Sequence, residues 1–158
     1  FYRDALLIRR VTEKKALFII NDRADIARLV KADGLHLGQA DIPICAARKI
    51  VGSDIIIGKS CHSLSQAVSA QKEGADYISV GPVFKTPTKP EYNPVGLGLL
   101  KRAYQRIRMP IVAIGGINKN NIELVNRTGV KIIAVVRAIC QSNDVFMAVS
   151  RLNESLRE

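Results

Sequence analysis

Tryptophan is absent, and aromatic residues make up only 5% of the 158-residue chain. A surface that reads single-stranded nucleic acid stacks bases on aromatic side chains interleaved with basic ones, and this composition offers little to build one. Cysteine is also scarce: Cys45, Cys61 and Cys140 are widely spaced and form no C-x-x-C pair. That excludes a disulfide framework and a zinc knuckle, so free thiols are expected, with Cys45 and Cys140 in the core. Long hydrophobic runs are missing as well. Stretches such as Ile132 to Val136 fall far short of the roughly 20 residues a membrane-spanning helix needs, and no signal-peptide pattern opens the chain. A cytoplasmic protein with no membrane partner is expected. Acidic residues are few, 14 against 24 Lys and Arg, giving a net charge of +10 and a pI near 9.9. The basic residues are scattered over the helical segments rather than gathered in one run, so small phosphorylated ligands account for the positive field better than nucleic acid does.

What is present is 47% hydrophobic sequence in short, regularly interrupted segments. Residues Asp4 to Lys15 carry Ala5, Leu6, Ile8 and Val11 at helical spacing, and Ala16 to Ile20 reads as a buried parallel strand ending at Asn21-Asp22. A second helical pattern closes at Gly34, and Leu35-His36-Leu37 is the next strand. Pro43 suits the first turn of a helix to about Val51, Gly52 stops it, and Ile55 to Gly58 makes a third strand ending at Lys59-Ser60. Ser63 caps a helix to about Lys72, Gly74 stops it, and a strand through Tyr77 runs to Val80. A Pro-rich loop, a helix from Leu97 to about Ile107 and a strand at Ile111 to Ile114 follow. Asn118 caps a helix to Thr128, a sixth strand covers Ile132 to Val136, and a helix starts near Asp144.

Six strand-helix units in series require crossover helices and therefore a parallel sheet. No linker interrupts the repetition, so residues 1–158 read as a single domain. A doubly wound sheet gathers its ligand at one switch point, whereas a closed (β/α) barrel brings every carboxyl-terminal strand end to one mouth. Polar residues follow all six strands: Asn21-Asp22, Gln39 and Asp41, Ser60, Thr86 to Lys89, Gly115-Gly116 and Arg137. The expectation is a TIM-type (β/α) barrel.

The stretch GPVFKTPTK, Gly81 to Lys89, offers two hydroxyls and two ammonium groups on a loop that Pro87 stiffens, a place to hold an anion, against the alternative of a solvated loop. Asp22 and Asp41 follow adjacent strands. Carboxylates brought together there would repel unless a proton or cation lies between them, and Mg²⁺ is the oxygen-seeking ion that links carboxylates to phosphate. Capping the following helices is the competing role, and acid–base work a third. Gly115-Gly116 before a helix suits a phosphate, and Arg137 is either a bidentate phosphate ligand or a solvated strand-end charge. Lys59 and Lys85 read as solvated, and His36 and His62 as mostly structural, with His62 the better placed of the two to touch ligand. No Ser-His-Asp or Cys-His nucleophile set is present.

The segments IIND (Ile19 to Asp22), ADGLHLGQAD (Ala32 to Asp41), IGKSCHS (Ile57 to Ser63), GADYISVGPVFKTPTK (Gly74 to Lys89) and PIVAIGGIN (Pro110 to Asn118) together resemble the thiamine phosphate synthase family. The resemblance covers nearly the full chain. It implies a (β/α) barrel that joins hydroxymethylpyrimidine diphosphate to a thiazole phosphate, releasing diphosphate with Mg²⁺ as cofactor. Carried over, Asp22 and Asp41 are the metal ligands, and Asn21, Ser60 and Lys89 are contacts to the pyrimidine diphosphate, with Lys89 and Ser60 the catalytic candidates. Thr86, Pro87, Thr88, Gly116, Val136 and Arg137 are the thiazole-phosphate site. The implied chemistry is dissociative: diphosphate leaves, a pyrimidine methyl cation forms and the thiazole nitrogen captures it. Such a reaction needs charge neutralisation on the leaving group rather than a nucleophile.

Two departures from the family pattern shape the expectations. Arginine stands at 137 where the family usually has serine. The family also has two further strands before the helix at Phe1, the second ending in a Gln-x-Arg-x-Lys segment that grips diphosphate. The chain opens on Phe1, not Met, and is expected to be an incomplete or processed barrel, weakly active or inactive by itself. Its unpaired sheet edges leave a homo-oligomer open. A thiazole tautomerase-like relative, working without metal, and a non-catalytic phosphate-binding remnant are the alternatives.

Overall fold

A computed structural model describes residues 1–157. The chain is α/β, with six parallel strands in the order β1-β2-β3-β4-β5-β6. The strands are β1 (Ile19–Asn21), β2 (Gly34–Leu37), β3 (Ile56–Cys61), β4 (Tyr77–Val80), β5 (Ile111–Ile114) and β6 (Ile132–Ala134). The helices are α1 (Tyr2–Thr12), α2 (Ala24–Leu29), α3 (Ile44–Val51), α4 (Leu64–Lys72), α5 (Gly96–Arg106), α6 (Ile122–Asn126), α7 (Arg137–Cys140) and α8 (Val145–Arg157). The chain divides into two compact units, residues 1–60 with 69–78, and residues 61–68 with 79–158. Among the described residues no helix is long and apolar enough to cross a membrane.

In the first unit β1 and β2 pair in parallel with Ile19 opposite Gly34, and β2 and β3 with Gly34 opposite Ile56. Gly34 is needed there because a Cβ would fall 2.9 Å from the Ile56 carbonyl oxygen. The core is the strand side chains Ile20, Leu35, Leu37 and Ile57 packed under helix residues such as Ala27 and Ala47. Two aspartates repeat one device at strand entrances. Asp33 accepts from the Phe18 backbone N–H at 2.7 Å and from Arg9 Nη1 at 2.6 Å. Asp76 accepts from the Ile57 N–H at 2.7 Å and from Arg48 Nη2 at 2.7 Å. Each carboxylate ties the neighbouring strand's backbone to a helix, and the Phe18 N–H followed by Arg9 holds the Asp33 carboxyl below its ordinary range. The repeated Ala-Asp dipeptide before β2 and near β4 is the sequence trace of this arrangement.

In the second unit β5 and β6 pair in parallel, and Leu100, Ala103, Ala113, Val125 and Val130 are buried together with Val80 and Val83. Ser63 begins α4 as expected, its Oγ accepting from the Gln66 N–H at 3.2 Å while Gln66 Oε1 accepts from the His62 N–H at 2.6 Å. Asp144 opens α8 by accepting from the Met147 N–H at 2.9 Å.

Several local expectations give way to tertiary contacts. β1 begins at Ile19 rather than Ala16, because Phe18 is taken up by the Asp33 carboxylate and Leu17 faces solvent. β3 runs on to Cys61, so Lys59 and Ser60 are strand residues and do not follow the strand. β6 stops at Ala134, and Val136 is the N-cap of α7, which makes Arg137 the first residue of a helix and not a strand-end charge. Asn118 does not cap α6; Asn121 holds the N-cap position, and Asn118 Oδ1 accepts from the Asn120 N–H at 2.9 Å in a side-chain-closed turn. Cys45 and Cys140 are exposed and Cys61 is the buried thiol; helical spacing alone does not say which side of α3 or α7 is covered.

Candidate active site

In the first unit the predicted residues occupy the ends of three adjacent strands. Asn21 closes β1 and is exposed. Asp22 follows with φ +65°, a left-handed conformation that Asp tolerates better than most residues. Its N–H donates to the His36 carbonyl at 2.8 Å, which fastens the end of β1 to β2. α2 begins with Arg23 at its N-cap.

Asp41 lies beyond β2, and its Oδ2 accepts from the Gly38 N–H at 2.6 Å. It therefore turns back toward the strand, and α3 starts from Pro43 with no side-chain cap. The capping role weighed for Asp41 is not the one the structure gives it. Lys59 reaches the same residue at its carbonyl: it is 8% exposed, and its Nζ donates to the Gly38 carbonyl at 2.8 Å, which also accepts from the Asp41 N–H at 3.4 Å. The expectation of a solvated Lys59 is thus corrected. A buried ammonium needs partners, and here one of them is the carbonyl of the residue whose N–H holds the Asp41 carboxylate. The Gln39 side-chain amide donates to the Ser60 carbonyl, closing the same loop over β3.

Ser60 is held from below. Its Oγ is 2.9 Å from His36 Nε2, and His36 Nδ1 is 2.9 Å from the Tyr77 hydroxyl. Gly58 makes room for this, since a Cβ there would collide with the Tyr77 ring. Burial pushes the Tyr77 phenol up to about 12 from an ordinary value of 10.0. His36, expected as mostly structural, sets the direction of a candidate catalytic hydroxyl. Because the folded-state value lies above the unfolded one, Tyr77 stabilises the fold fully below pH 10 and loses that contribution as the pH rises toward about 12. Denaturant unfolding midpoints measured across that window should fall more steeply for the native chain than for Tyr77→Phe. At neutral pH the variant should be about 1–3 kcal/mol less stable, since His36 loses a partner. Equal slopes would count against a buried neutral phenol.

In the second unit the loop after β4 is pinned at its base. Gly81 N–H donates to Cys61 O at 3.3 Å, Val83 N–H to Ile114 O at 2.8 Å, Phe84 N–H to Gly115 O at 3.0 Å, and Val95 N–H to Pro82 O at 2.8 Å. The tip is open: Pro87, Thr88 and Lys89 are exposed and Thr86 half-buried. Thr86 Oγ1 accepts from the Thr88 N–H at 3.3 Å, so that hydroxyl helps shape the turn. Lys85 is exposed, as expected. His62 Nδ1 lies 2.6 Å from Gly81 O and its ring stacks on Tyr92. Beside this loop Gly115 and Gly116 both have positive φ, +97° and +68°. The Gly116 carbonyl accepts from Asn121 Nδ2 at 3.0 Å and Asn118 Nδ2 at 3.3 Å, while Asn121 Oδ1 accepts from the Asn118 N–H at 2.8 Å. Val136 and Arg137 are exposed at the start of α7, and Arg137 Nε donates to Gln141 Oε1 at 2.7 Å.

Residues 1–139 match the family model described as TMP-TENI, thiamine monophosphate synthase. The chain belongs to this family. The thiamine-phosphate synthase of Ruminiclostridium cellulolyticum is 43% identical over 155 residues, covering 98% of this chain and 74% of that protein. The thiamine-phosphate synthase of Prochlorococcus marinus (strain MIT 9313) is 44% identical over 165 residues, 98% of this chain but 47% of that protein. The chain thus spans about half the length of several of the thiamine-phosphate synthases it matches. A solved structure, thiamine phosphate pyrophosphorylase from Pyrococcus furiosus, superposes with a TM-score of 0.91 at 40% identity, over 99% of this chain and 75% of that one. For this member of the thiamine monophosphate synthase family, Tyr77, Tyr92 and Asn121 support the candidate site without having been singled out in the sequence, while Lys59 and Asn118 had been assigned other roles, a solvated charge and a helix cap. Lys59 had a signal: it continues the apolar run Ile55-Ile56-Ile57 past a glycine, and a strand extended through it would have been read as buried.

Proposed function

We propose that this protein acts as a thiamine-phosphate synthase, joining hydroxymethylpyrimidine diphosphate to a thiazole phosphate in thiamine biosynthesis and releasing diphosphate. The observation that carries the reading is that the chain keeps the acidic, hydroxyl and ammonium groups this chemistry needs within a fold at 40% identity to the Pyrococcus furiosus pyrophosphorylase. In this reading the six strand-helix units are six of the eight of a TIM-type barrel, working in the cytoplasm.

Mg²⁺ fits the donor set. Asp22 and Asp41 follow the adjacent strands β1 and β2, and two carboxylates completed by phosphate oxygens and water is how Mg²⁺ is usually held with phosphorylated substrates. Asp22 and Asp41 would hold it, Asp41 with its carboxylate rotation set by Gly38. When bound, the ion would supply charge neutralisation to the departing diphosphate. Asn21 and Ser60 would orient the pyrimidine diphosphate, Ser60 directed by His36. Lys89 would add a positive charge where negative charge develops, which stabilises a dissociative transition state without a base or nucleophile. Thr86, Pro87, Thr88, Gly116, Val136 and Arg137 would bind the thiazole phosphate, and Arg137 at the first position of α7 could leave Gln141 for phosphate at little cost, both being exposed.

The test is condensation of the two phosphorylated substrates by the purified chain with and without Mg²⁺, with thiamine phosphate detected as fluorescent thiochrome after oxidation. Mg²⁺-dependent product is expected at a low rate, since this chain by itself is read as weakly active. A folded chain that forms none and binds neither diphosphate nor thiazole phosphate would overturn the reading.

A further inference from the structure

Lys89 stands on an exposed loop tip, where a lysine side chain has rotamer entropy to lose on engaging an anion. The structure contains a seat that would reduce that loss. The Lys89 ammonium lies over the Tyr92 ring, 5.8 Å from its centroid. The Tyr92 N–H donates back to the Lys89 carbonyl at 3.3 Å, so the two residues share one tight turn. Tyr92, itself 41% exposed, is stacked on His62 with centroids 4.8 Å apart and planes 20° from parallel. His62 is fixed at two points: its ring Nδ1 lies 2.6 Å from the Gly81 carbonyl and its N–H donates to Gln66 Oε1 at 2.6 Å. A carbonyl only accepts, so Nδ1 carries the proton and the ring orientation is defined. The contacts run unbroken from the end of β4 through His62 and Tyr92 to the Lys89 ammonium.

We propose that Tyr92, seated on His62, is a positioning residue that presents the Lys89 ammonium to the diphosphate group of the substrate. The proposal rests on the reading of Lys89 as a diphosphate contact. An aromatic face attracts a cation without neutralising it, so Lys89 keeps its full charge for the incoming anion, unlike a lysine parked on a carboxylate. Pro90 and Pro94, each with its φ fixed by the ring, flank Tyr92 in a segment that is not helical.

Inorganic diphosphate in the presence of Mg²⁺ serves as the probe, with affinity measured by calorimetry on the intact chain and on Tyr92→Ala, Tyr92→Phe, Lys89→Ala and the Tyr92→Ala/Lys89→Ala double variant. Tyr92→Ala should weaken binding about two- to five-fold, and Tyr92→Phe, which retains the ring, should bind like the native chain. In the Lys89→Ala background, removal of Tyr92 should cost nothing further. A Tyr92→Ala penalty that persists without Lys89 would show that the ring acts on the loop and not through the ammonium, overturning the proposal. So would native affinity in Tyr92→Ala alongside a clear loss in Lys89→Ala. If Lys89→Ala alone binds diphosphate normally, the Lys89 assignment falls and the proposal with it, an outcome distinct from the other two. An upfield proton shift at the Lys89 ε-methylene, present in the native chain and Tyr92→Phe and lost in Tyr92→Ala, gives a second readout independent of affinity.

Discussion

Asp22→Asn is expected to lower Mg²⁺-dependent turnover by about 10²–10³ while leaving the fold intact. The substitution separates charge from fold. Position 22 has φ +65°, a region in which asparagine is as comfortable as aspartate, so the backbone has no reason to move. Its N–H bond to the His36 carbonyl belongs to the main chain and survives any side-chain change. What is lost is one of two negative charges on adjacent strand ends, and an amide oxygen is a much poorer ligand for a hard divalent cation. Turnover at saturating substrates as a function of Mg²⁺ concentration, together with thermal unfolding, checks both halves. An undiminished rate at ordinary Mg²⁺ would remove Asp22 from the proposed metal site. A lost rate accompanied by a lowered melting temperature would mean that the carboxylate is structural.

The largest effect on stability is expected at Gly115→Ala, about 3 kcal/mol, with a drop in melting temperature of about 6–12 °C. Two costs coincide there. The backbone sits at φ +97°, which an alanine adopts only with strain, and a Cβ would fall 2.5 Å from Pro82 Cα, an atom of a rigid residue at the base of the Thr86–Lys89 loop. The neighbouring bond from the Phe84 N–H to the Gly115 carbonyl, 3.0 Å long, would be disturbed by the same shift. Binding of thiazole phosphate should weaken along with stability. A melting temperature within a degree or two of the native value would mean that the Pro82 segment yields, and that the close approach is not what glycine is there to permit.

The order of elements was readable because it is written locally. The longer helices carry their apolar residues at helical spacing, whereas the four-residue α7 leaves no such trace and was not read from the sequence. Gly52, Gly74 and Gly129 stand at helix ends with positive φ, and Ser63 begins α4 as its chemistry demands. The strand ends that carry polar residues were legible too, since a short apolar run stopping at Asn-Asp or Gly-Gly is a pattern within a few residues. The boundaries that slipped did so where a distant side chain intervened. Phe18 gives its N–H to Asp33, fifteen positions on, and β1 starts after it.

The sequence by itself determined the alternation of strand and helix, the family, and the residue types available for binding a cation and phosphates, because periodicity, turn chemistry and contiguous motifs act over neighbouring residues. Only the tertiary structure decided what those residues do to one another. Lys59 is buried with its ammonium donating to the Gly38 carbonyl, 21 positions earlier; Ser60 is aimed by His36, which in turn leans on Tyr77 across 41 positions; and Cys45 and Cys140 look outward. Such pairings arise when parallel strands bring their side chains into register, and no local pattern encodes which partner the register will supply.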